Sequence, residues 1–451
     1  MKHLKQRIAL ESLRAQFHLS EDRLKEMVYF MIHEMHQGLA GRPSTLRMLP
    51  SYVYRKNISQ AEGVYYALDL GGTNFRVIRM LIRQGKLISV AQSAFVVPKE
   101  HMEGTHTGLF SFIAGCVLQF IQEKGQEDMK GGAQRTIPLG FTFSFPVNQA
   151  SVNEGSLIKW TKGFKTTGVE GNDVVQLLQA ALDKVNVDVR IVALCNDTVG
   201  TLVARYFSDE HTQMGVILGT GANACYWERS SAVTKDGKVA KEGAKETVIN
   251  MEFGNFDSTH MLCLPATPFD DAIDKASINP GAQRFEKMIS GMYLGEIARQ
   301  VLVSLSKNGL LPESVANGLN KPYKFESRFS GQISADHLPG LFATKSILQS
   351  NFGVTIDKTE DLFLIRNVCV LVRNRAAQLA GMAISSTLLK SETTGNATVA
   401  VDGSVYEKTP SFRAVMQKTI RTILGDESDV RLVLQREGSG HGAGFIAALS
   451  A

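Results

Sequence analysis

Two segments of the chain share one pattern: an apolar β-prone run, a turn that contains glycine and threonine, and a second β-prone run. They are Tyr65–Arg76, with the sequence YYALDLGGTNFR, and Gly215–Tyr226, with the sequence GVILGTGANACY. Between and after them, short β-rich runs alternate with helical stretches, which is typical of an α/β protein. The repetition predicts a duplicated unit and two lobes, each of which presents a glycine turn.

The coarse assignment of elements follows from hydrophobic periodicity and from helix start and stop signals. Strands are predicted at Val64–Leu70, Ile137–Phe143, Ile191–Cys195, Met214–Leu218 and Ala397–Val401. Helices are predicted from the Ser20 N-cap to Gly38, at Val174–Leu182, after Asp197, and at Ala282–Ser306, Asp361–Ala380 and Ser411–Leu424. No low-complexity linker interrupts this series, so we expect two lobes that share an interface.

Composition restricts the class of protein. The chain has 451 residues, of which 44% are hydrophobic and 21% are charged, so two or three globular domains are expected. Its net charge of +5 is too small for this length to indicate nucleic-acid binding. No apolar run approaches the roughly 18 residues of a membrane span, and the N-terminus lacks the features of a secretory signal. The five cysteines are odd in number and far apart, which predicts buried, reduced thiols and a soluble intracellular protein.

Glycine-rich turns could bind phosphate, because successive backbone N–H groups can surround an anion. Four such turns occur, at 69–74, 219–221, 402–404 and 438–440, although no GxxxxGK[ST] P-loop is present. One alternative is a dinucleotide fingerprint, since Gly219–Ala224 fits GxGxxA. That fingerprint requires a helix directly after the turn, whereas the following residues are β-prone, so the dehydrogenase interpretation fails.

Several polar residues near these turns could bind a polyol. Asp197 follows a predicted strand, where it could cap the next helix, act as a general base, or do both. Glu252 and Glu286 are by default solvated glutamates, and Ser144 is by default a satisfied core hydroxyl. Together with Lys162 they offer the donors and acceptors that a sugar needs. A separate HExH segment, 33–36, is one residue short of the zinc motif and is interpreted as ordinary helix.

Nine blocks of sequence resemble the signature motifs of eukaryotic hexokinases, in the order of that family. They are DLGGTNFR, LGFTFSFP, WTKGF, NDTVGT, LGTGANACY, INMEFG, NPGAQRFEKMISGMYLGEI, VDGSVYEKTP and GSGHGAG. The resemblance implies a two-lobed, actin-like (ribonuclease H-like) α/β fold that binds a sugar and Mg-ATP in its cleft. The expected division is an N-terminal helical segment at 1–60, a small lobe at 61–201 and a large lobe at 202–451, with a C-terminal helix that returns to the small lobe.

The resemblance also implies roles for individual residues. Asp197 corresponds to the base that deprotonates the sugar 6-hydroxyl. The sugar-binding set is Ser144, Thr161, Lys162, Asn196, Asp197, Asn223, Glu252 and Glu286. The first phosphate turn comprises Asp69, Gly71, Gly72, Thr73, Asn74 and Arg76, and the second phosphate and adenosine contacts are Thr220, Gly221, Gly403 and Ser404. Magnesium is expected on the phosphate oxygens and waters, with no direct protein ligand.

The implied function is an ATP-dependent hexokinase of glycolysis, with glucose, other hexoses and ATP as small-molecule partners and neither nucleic acid nor membrane as a partner.

Three features depart from the family pattern or restrict what it implies: Phe253 replaces a common Trp, His441 replaces a common Lys, and the length gives one catalytic unit. Phe253 predicts altered packing near Glu252, and His441 predicts a weaker phosphate-side or adenine-side contact. The single catalytic unit puts inhibition by the product in doubt. A catalytically silent hexose sensor stays as the alternative. A monomer or homo-oligomer in the cytoplasm is expected, with a peroxisome-like organelle of a protist as the alternative location.

Overall fold

The computed structural model describes residues 1–72, 74–129, 136–241, 244–393 and 395–450. Its strands are β1 Leu49–Tyr54, β2 Gly63–Leu70, β3 Asn74–Arg83, β4 Lys86–Val96, β5 Ile137–Phe143, β6 Val147–Ser151, β7 Glu154–Leu157, β8 Val189–Cys195, β9 Thr212–Leu218, β10 Ala222–Arg229, β11 Glu246–Asn250, β12 Ala397–Asp402 and β13 Val430–Leu434.

Helices connect and cover these strands. They are α1 Lys2–Phe17, α2 Glu21–Leu39, α3 Lys99–Met102, α4 His106–Lys124, α5 Gln126–Met129, α6 Val174–Lys184, α7 Asp197–Tyr206, α8 Gly237–Lys241, α9 Pro268–Ala276, α10 Arg284–Ile289, α11 Gly291–Lys307, α12 Glu313–Gly318, α13 Ser327–Ser334, α14 Phe342–Phe352, α15 Thr359–Lys390, α16 Ser404–Glu407, α17 Pro410–Leu424 and α18 Gly438–Ser450. Short 3₁₀ turns occur at Ile58–Gln60, Ser230–Ala232, Phe253–Asn255 and Pro339–Leu341.

Two mixed sheets have the same strand order. The first runs β4-β3-β2-β5-β8, and the second runs β11-β10-β9-β12-β13 with β1 added beyond β11. In each, a strand pairs antiparallel with the strand that follows it and parallel with a later strand, as β2 does with β3 and β5, and β9 does with β10 and β12. The duplicated strand–turn–strand pattern of the sequence therefore corresponds to equivalent β-hairpins in the two sheets.

The two sheets enclose a layer that contains α7 and α18. α7 packs against β9 and α18 packs against β2 and β5, while the two helices contact each other. Glycine permits this contact, because a Cβ on Gly442 would lie 2.0 Å from the Gly200 carbonyl oxygen. The close helix pair places the start of α7, and hence Asp197, between the sheets.

Hydrophobic clusters fill the space on each side of the sheets. Residues of α4 and α6 pack on the outer face of the five-stranded sheet, and α2, α10, α11 and α15 pack on the six-stranded sheet. α1 is a helix that the sequence did not predict, because only Gln6, Leu13 and Phe17 of its residues are buried. All five cysteines are buried and free, as predicted.

One predicted helix and one predicted turn are wrong. The Ala282–Ser306 helix is broken at Ser290, which is extended and separates α10 from α11. The break follows from packing: the Gly291 and Met292 N–H groups donate to the Gly219 and Thr220 carbonyls, at 2.7 and 3.1 Å. The 438–440 glycine segment is the first turn of α18 rather than a loop.

Candidate active site

Asp197 is the first residue of α7, and only Asn196 separates it from the end of β8. Its neighbour Asn196 is the N-cap, since its side-chain oxygen accepts hydrogen bonds from the Thr198 N–H at 3.0 Å and the Thr198 hydroxyl at 2.8 Å. Asp197 Oδ1 accepts from the same N–H at 2.9 Å. Asn196 therefore performs most of the capping that the sequence allowed for Asp197, whose second carboxylate oxygen is left for other partners.

The environment of Asp197 suits a proton acceptor. Burial raises the pKa of its carboxyl group, and the negative charge of Asp69 acts in the same direction. The nearby Lys162 ammonium and Ser144 hydroxyl oppose this change by stabilising the ionised form. A general base works best when its pKa lies close to the working pH, so a raised pKa is favourable.

Glu252 lies at the end of β11 in a left-handed conformation, with φ 53°. Its Oε1 accepts from Asn250 Nδ2 at 2.9 Å and from Asn223 Nδ2 at 3.2 Å. Asn223 Nδ2 also lies 2.9 Å from Asn250 Oδ1, so the three side chains form one network. The left-handed backbone conformation is strained for a residue other than glycine, and such strain is concentrated at functional sites.

Glu286 lies in the first turn of α10 and faces the second glycine turn. Its Oε2 accepts from the Ala222 N–H at 2.8 Å. Burial raises the pKa of Glu286 to about 7, and the charge of Glu252 contributes to the increase. Both glutamates therefore share one half-buried, acceptor-rich region rather than a fully solvated face.

Lys162 brings a cation to these acids. It is also left-handed, with φ 54°, and its Nζ donates to the Ser144 carbonyl at 2.7 Å. Its charge lowers the pKa of Asp197, Glu252 and Glu286 alike, although burial outweighs it in each case. Thr161 precedes it and is half-buried. Lys162 thus contacts Ser144 and interacts electrostatically with the three acids, while Asn196 and Asn223 join the site through the Asn250–Glu252 network.

The first glycine turn is flanked by an ionic network. Asp69 and Arg76 face each other in the β2–β3 register, and Arg76 Nη2 lies 2.5 Å from Asp69 Oδ2. Arg76 also contacts Glu437, and the Ser439 hydroxyl donates to Asp69 at 2.8 Å. The turn itself is open: a Cβ on Gly72 would meet no atom within 4 Å. Asn74 is exposed, and Thr73 lies outside the described residues.

The second glycine turn is tightly packed. The Gly219 N–H donates to the Gly221 carbonyl at 3.0 Å. Gly403 has φ 114°, and a Cβ there would lie 2.3 Å from the Leu218 carbonyl oxygen. Thr220 and Ser404 are both exposed beside this turn, where they can reach a ligand.

Two polar residues of this region were not among the assigned site residues, although 402–404 was one of the candidate phosphate turns. Asn250 joins Glu252 to Asn223, and Asp402 ends the parallel strand β12. Burial raises the pKa of Asp402, the charge of Asp197 raises it further, and the charge of Arg76 lowers it. Its position at the carboxyl end of a parallel strand was the available signal. Within the described residues, no group of three His, Cys, Asp or Glu side chains could hold a metal ion.

Two family models for hexokinases match residues 9–207 and 213–449. The chain belongs to the hexokinase family. It is 39% identical to Hexokinase-1 of Saccharomyces cerevisiae, over 98% of this chain and 92% of that protein. It is 40% identical to Hexokinase-7 of Oryza sativa, over 94% of this chain and 93% of that one.

Longer and solved relatives agree with this assignment. The chain is 39% identical to human Hexokinase-1 over 98% of its own length, but it spans only 48% of that protein. A hexokinase from Schistosoma mansoni, solved in complex with glucose, matches with a TM-score of 0.88 and 35% identity over 99% of both chains. The predicted family, the two-lobed α/β fold and the kinase class are therefore confirmed.

Proposed function

We propose that this hexokinase transfers the γ-phosphoryl group of ATP to the 6-hydroxyl of D-glucose and related hexoses, with Asp197 as the general base. The observation that supports this proposal is the position of Asp197. Its half-buried carboxylate interacts electrostatically both with the sugar-side groups Lys162 and Glu252 and with the phosphate-side groups Asp69 and Asp402.

The sugar side supplies alternating donors and acceptors. Glu252 and Glu286 offer carboxylate oxygens, while the amides of Asn196 and Asn223 and the ammonium of Lys162 can donate. A hexose hydroxyl both donates and accepts, so each of its hydroxyls can be satisfied there. Glu252, Glu286, Asn196 and Asn223 are half-buried. A bound sugar that covers them but lacks a hydroxyl would leave one of them unpaired, which discriminates strongly against it.

The phosphate side supplies backbone N–H groups and a cation. Gly71 and Gly72 permit close approach of the first turn to a phosphate, and Arg76 holds positive charge beside it. Thr220, Gly221, Gly403 and Ser404 would contact the phosphates and adenosine from the second sheet. Phosphoryl transfer depends mainly on such positioning and charge stabilisation.

Magnesium would arrive with ATP. Hard oxygen ligands suit it, and the nearest candidate carboxylates are Asp69 and Asp402. Asp69 already accepts from Arg76 and Ser439, which fits a cation held mainly by phosphate oxygens and waters. When bound with ATP, magnesium would neutralise the part of the negative phosphate charge that the protein cations leave unbalanced.

We further propose the lobe boundaries at 61–201 and 202–451, with cleft closure excluding water from the transfer. The two sheets support this division, and α18 supports the predicted return to the small lobe. None of the described helices is long and apolar enough to cross a membrane. A cytoplasmic location stays a prediction, which fractionation of the source cells would test.

The decisive experiment replaces Asp197 by Ala. We expect turnover of glucose to fall about 10²-fold or more, as for loss of a general base, while glucose binding persists. The matched control is Asp188→Ala, an exposed aspartate just before the same strand β8. A coupled assay for glucose 6-phosphate and calorimetric glucose binding provide the readouts. A wild-type chain that binds glucose but never turns it over would instead support the silent sensor.

A further inference from the structure

Glu437 pairs with the guanidinium of Arg76, the cation that we propose for the first phosphate turn. Arg76 lies on β3 in the first sheet, whereas Glu437 lies between β13 of the second sheet and α18, with φ 58°. The pair therefore joins the connection between the two sheets to the proposed phosphate site. Glu437 was not among the assigned site residues, although it directly precedes the 438–440 segment.

The other acids near Arg76 have further partners, whereas Glu437 has none. Asp69 Oδ2 accepts from Arg76 Nη2 at 2.5 Å and also from the Ser439 hydroxyl at 2.8 Å. Asp402 Oδ1 accepts from the next backbone N–H at 2.6 Å. Within the part of the chain that the structure describes, Arg76 is the only hydrogen-bond partner of the Glu437 carboxylate. The Glu437 side chain is also 41% exposed, against 7% for Asp69. Glu437 is therefore the acid that can leave Arg76 at the smallest cost.

Negative charge is in excess around this guanidinium. Burial lowers the pKa of Arg76, but three nearby carboxylates outweigh burial and raise that pKa overall. They are Asp69, Glu437 and Asp402. Burial also lowers the pKa of His441, one turn into α18, so its ring adds no full positive charge at neutral pH. A polyphosphate that approaches Arg76 is therefore repelled, unless a bound cation reduces its own charge.

We propose that Glu437 is a specificity-determining residue, which competes with phosphate oxygens for Arg76 and thereby favours ATP that carries magnesium over free ATP. This inference rests on the proposed function, in which a phosphate of ATP lies at the first turn. Carboxylate and phosphate oxygens accept the same charge-assisted hydrogen bonds from a guanidinium, so they compete for its N–H groups. Free ATP carries more negative charge than its magnesium complex, so the carboxylates around Arg76 oppose free ATP more strongly.

The test compares Glu437→Gln, Glu437→Asp and a matched control, Glu246→Gln. The control removes a partly exposed glutamate on β11 from another ion pair, which it forms with Arg55 at 3.0 Å. Calorimetry measures Kd of each variant for Mg-ATP and for ATP in EDTA, and glucose binding checks that each variant is folded. We expect Glu437→Gln to bind magnesium-free ATP about tenfold more tightly, and Mg-ATP about threefold more tightly at most. Glu437→Asp keeps the charge and should keep most of the wild-type ratio of the two Kd values, and the control should keep all of it.

Two outcomes would overturn the inference. Weaker binding of both forms of ATP by Glu437→Gln would mean that the carboxylate supports Arg76 rather than competes with the nucleotide. An equal change for both forms, or no change, would mean that Glu437 does not distinguish them. The proposed function fails separately, because a wild type without sugar-dependent turnover contradicts it whatever the ratio of the two Kd values.

Discussion

The two glycine turns occupy equivalent places in their sheets, yet the space around their glycines differs. At Gly72 in the first turn, a Cβ would meet nothing within 4 Å. At Gly221 in the second, it would lie 2.7 Å from Glu286 Oε2, and the neighbouring Gly403 has no room for one at all. In the second turn, the neighbouring atoms of the folded chain leave no room for a side chain. In the first turn they leave room at Gly72, which fits the approach of a ligand that we propose there.

The carboxylates beside the turns differ in the same way. Asp69 beside the first turn is paired with the Arg76 guanidinium. Glu286 beside the second turn has a backbone N–H as its hydrogen-bond partner, and burial raises its pKa to about 7. The first turn thus has an ion-paired carboxylate beside open space at Gly72, which suits the phosphate contact that we propose there. The second turn packs against Glu286, a carboxylate that we propose for the sugar and whose ionised form burial makes costly.

The largest expected effect is on the packed turn. Gly403→Ala must move the Leu218 carbonyl and place a side chain at φ 114°, so we expect a loss of about 3 kcal/mol in the free energy of unfolding. Denaturant titration followed by circular dichroism measures it. A stability equal to that of the wild type would show that the second turn is not constrained by packing.

Gly221→Ala separates packing from function within the same turn. Its Cβ would displace the end of a side chain, so stability should change by less than about 1 kcal/mol. Loss of the Glu286 hydrogen bond should raise KM for glucose about tenfold, equivalent to about 1.4 kcal/mol, which should exceed any increase in KM for ATP from the proposed nucleotide contact of Gly221. An increase confined to KM for ATP would show that this glycine serves the nucleotide alone.

Sequence reasoning identified both turns but could not distinguish them. The alternation of β-runs and helices predicted the α/β class, and the Asn196–Asp197 junction and the β10 strand after the second turn were found correctly. These features are local, so neighbouring residues determine them. Both turns contain glycine and threonine, so their sequences look alike. Only the surrounding atoms of the folded chain show that the first turn is open at Gly72 and the second is tightly packed.

The errors share a cause: each depends on contacts between distant segments. The break at Ser290 arises because the second turn accepts hydrogen bonds from Gly291 and Met292, about 70 residues later in the chain. The 438–440 segment is helical because α18 packs closely on α7. Asp402 interacts electrostatically with Asp197 only because the ends of β12 and β8, which belong to different sheets and are about 200 residues apart in the sequence, come together in the fold.

Gly72→Ala tests the open turn. Gly72 is not left-handed and has space for a methyl group, so alanine should stabilise the fold slightly, by about 0.5 kcal/mol, through the unfolded state. The same methyl group would occupy space that a phosphate needs, so KM for ATP should rise about fivefold, or ~1 kcal/mol. Steady-state kinetics with ATP as the varied substrate checks this. Unchanged KM for ATP would mean that the open turn does not approach the nucleotide.

The smallest effect concerns Glu286, the carboxylate on α10 that packs against the second turn and has no cation as a direct partner among the described residues. Because the pKa of Glu286 is raised from 4.5 to about 7 in the folded chain, ionisation opposes folding progressively between those pH values and fully above them. Glu286→Gln removes that opposition, but its buried amide group needs a new partner, which offsets part of the gain. We therefore expect a net stabilisation of about 1 kcal/mol, or roughly 2 °C in Tm, at neutral to alkaline pH. Near the lower of the two pKa values the gain disappears, so only the cost of the amide group remains and the variant should be slightly less stable than the wild type there. Scanning calorimetry at a series of pH values measures it, and a variant that is less stable at every pH would show that the Glu286 carboxylate stabilises the fold rather than straining it.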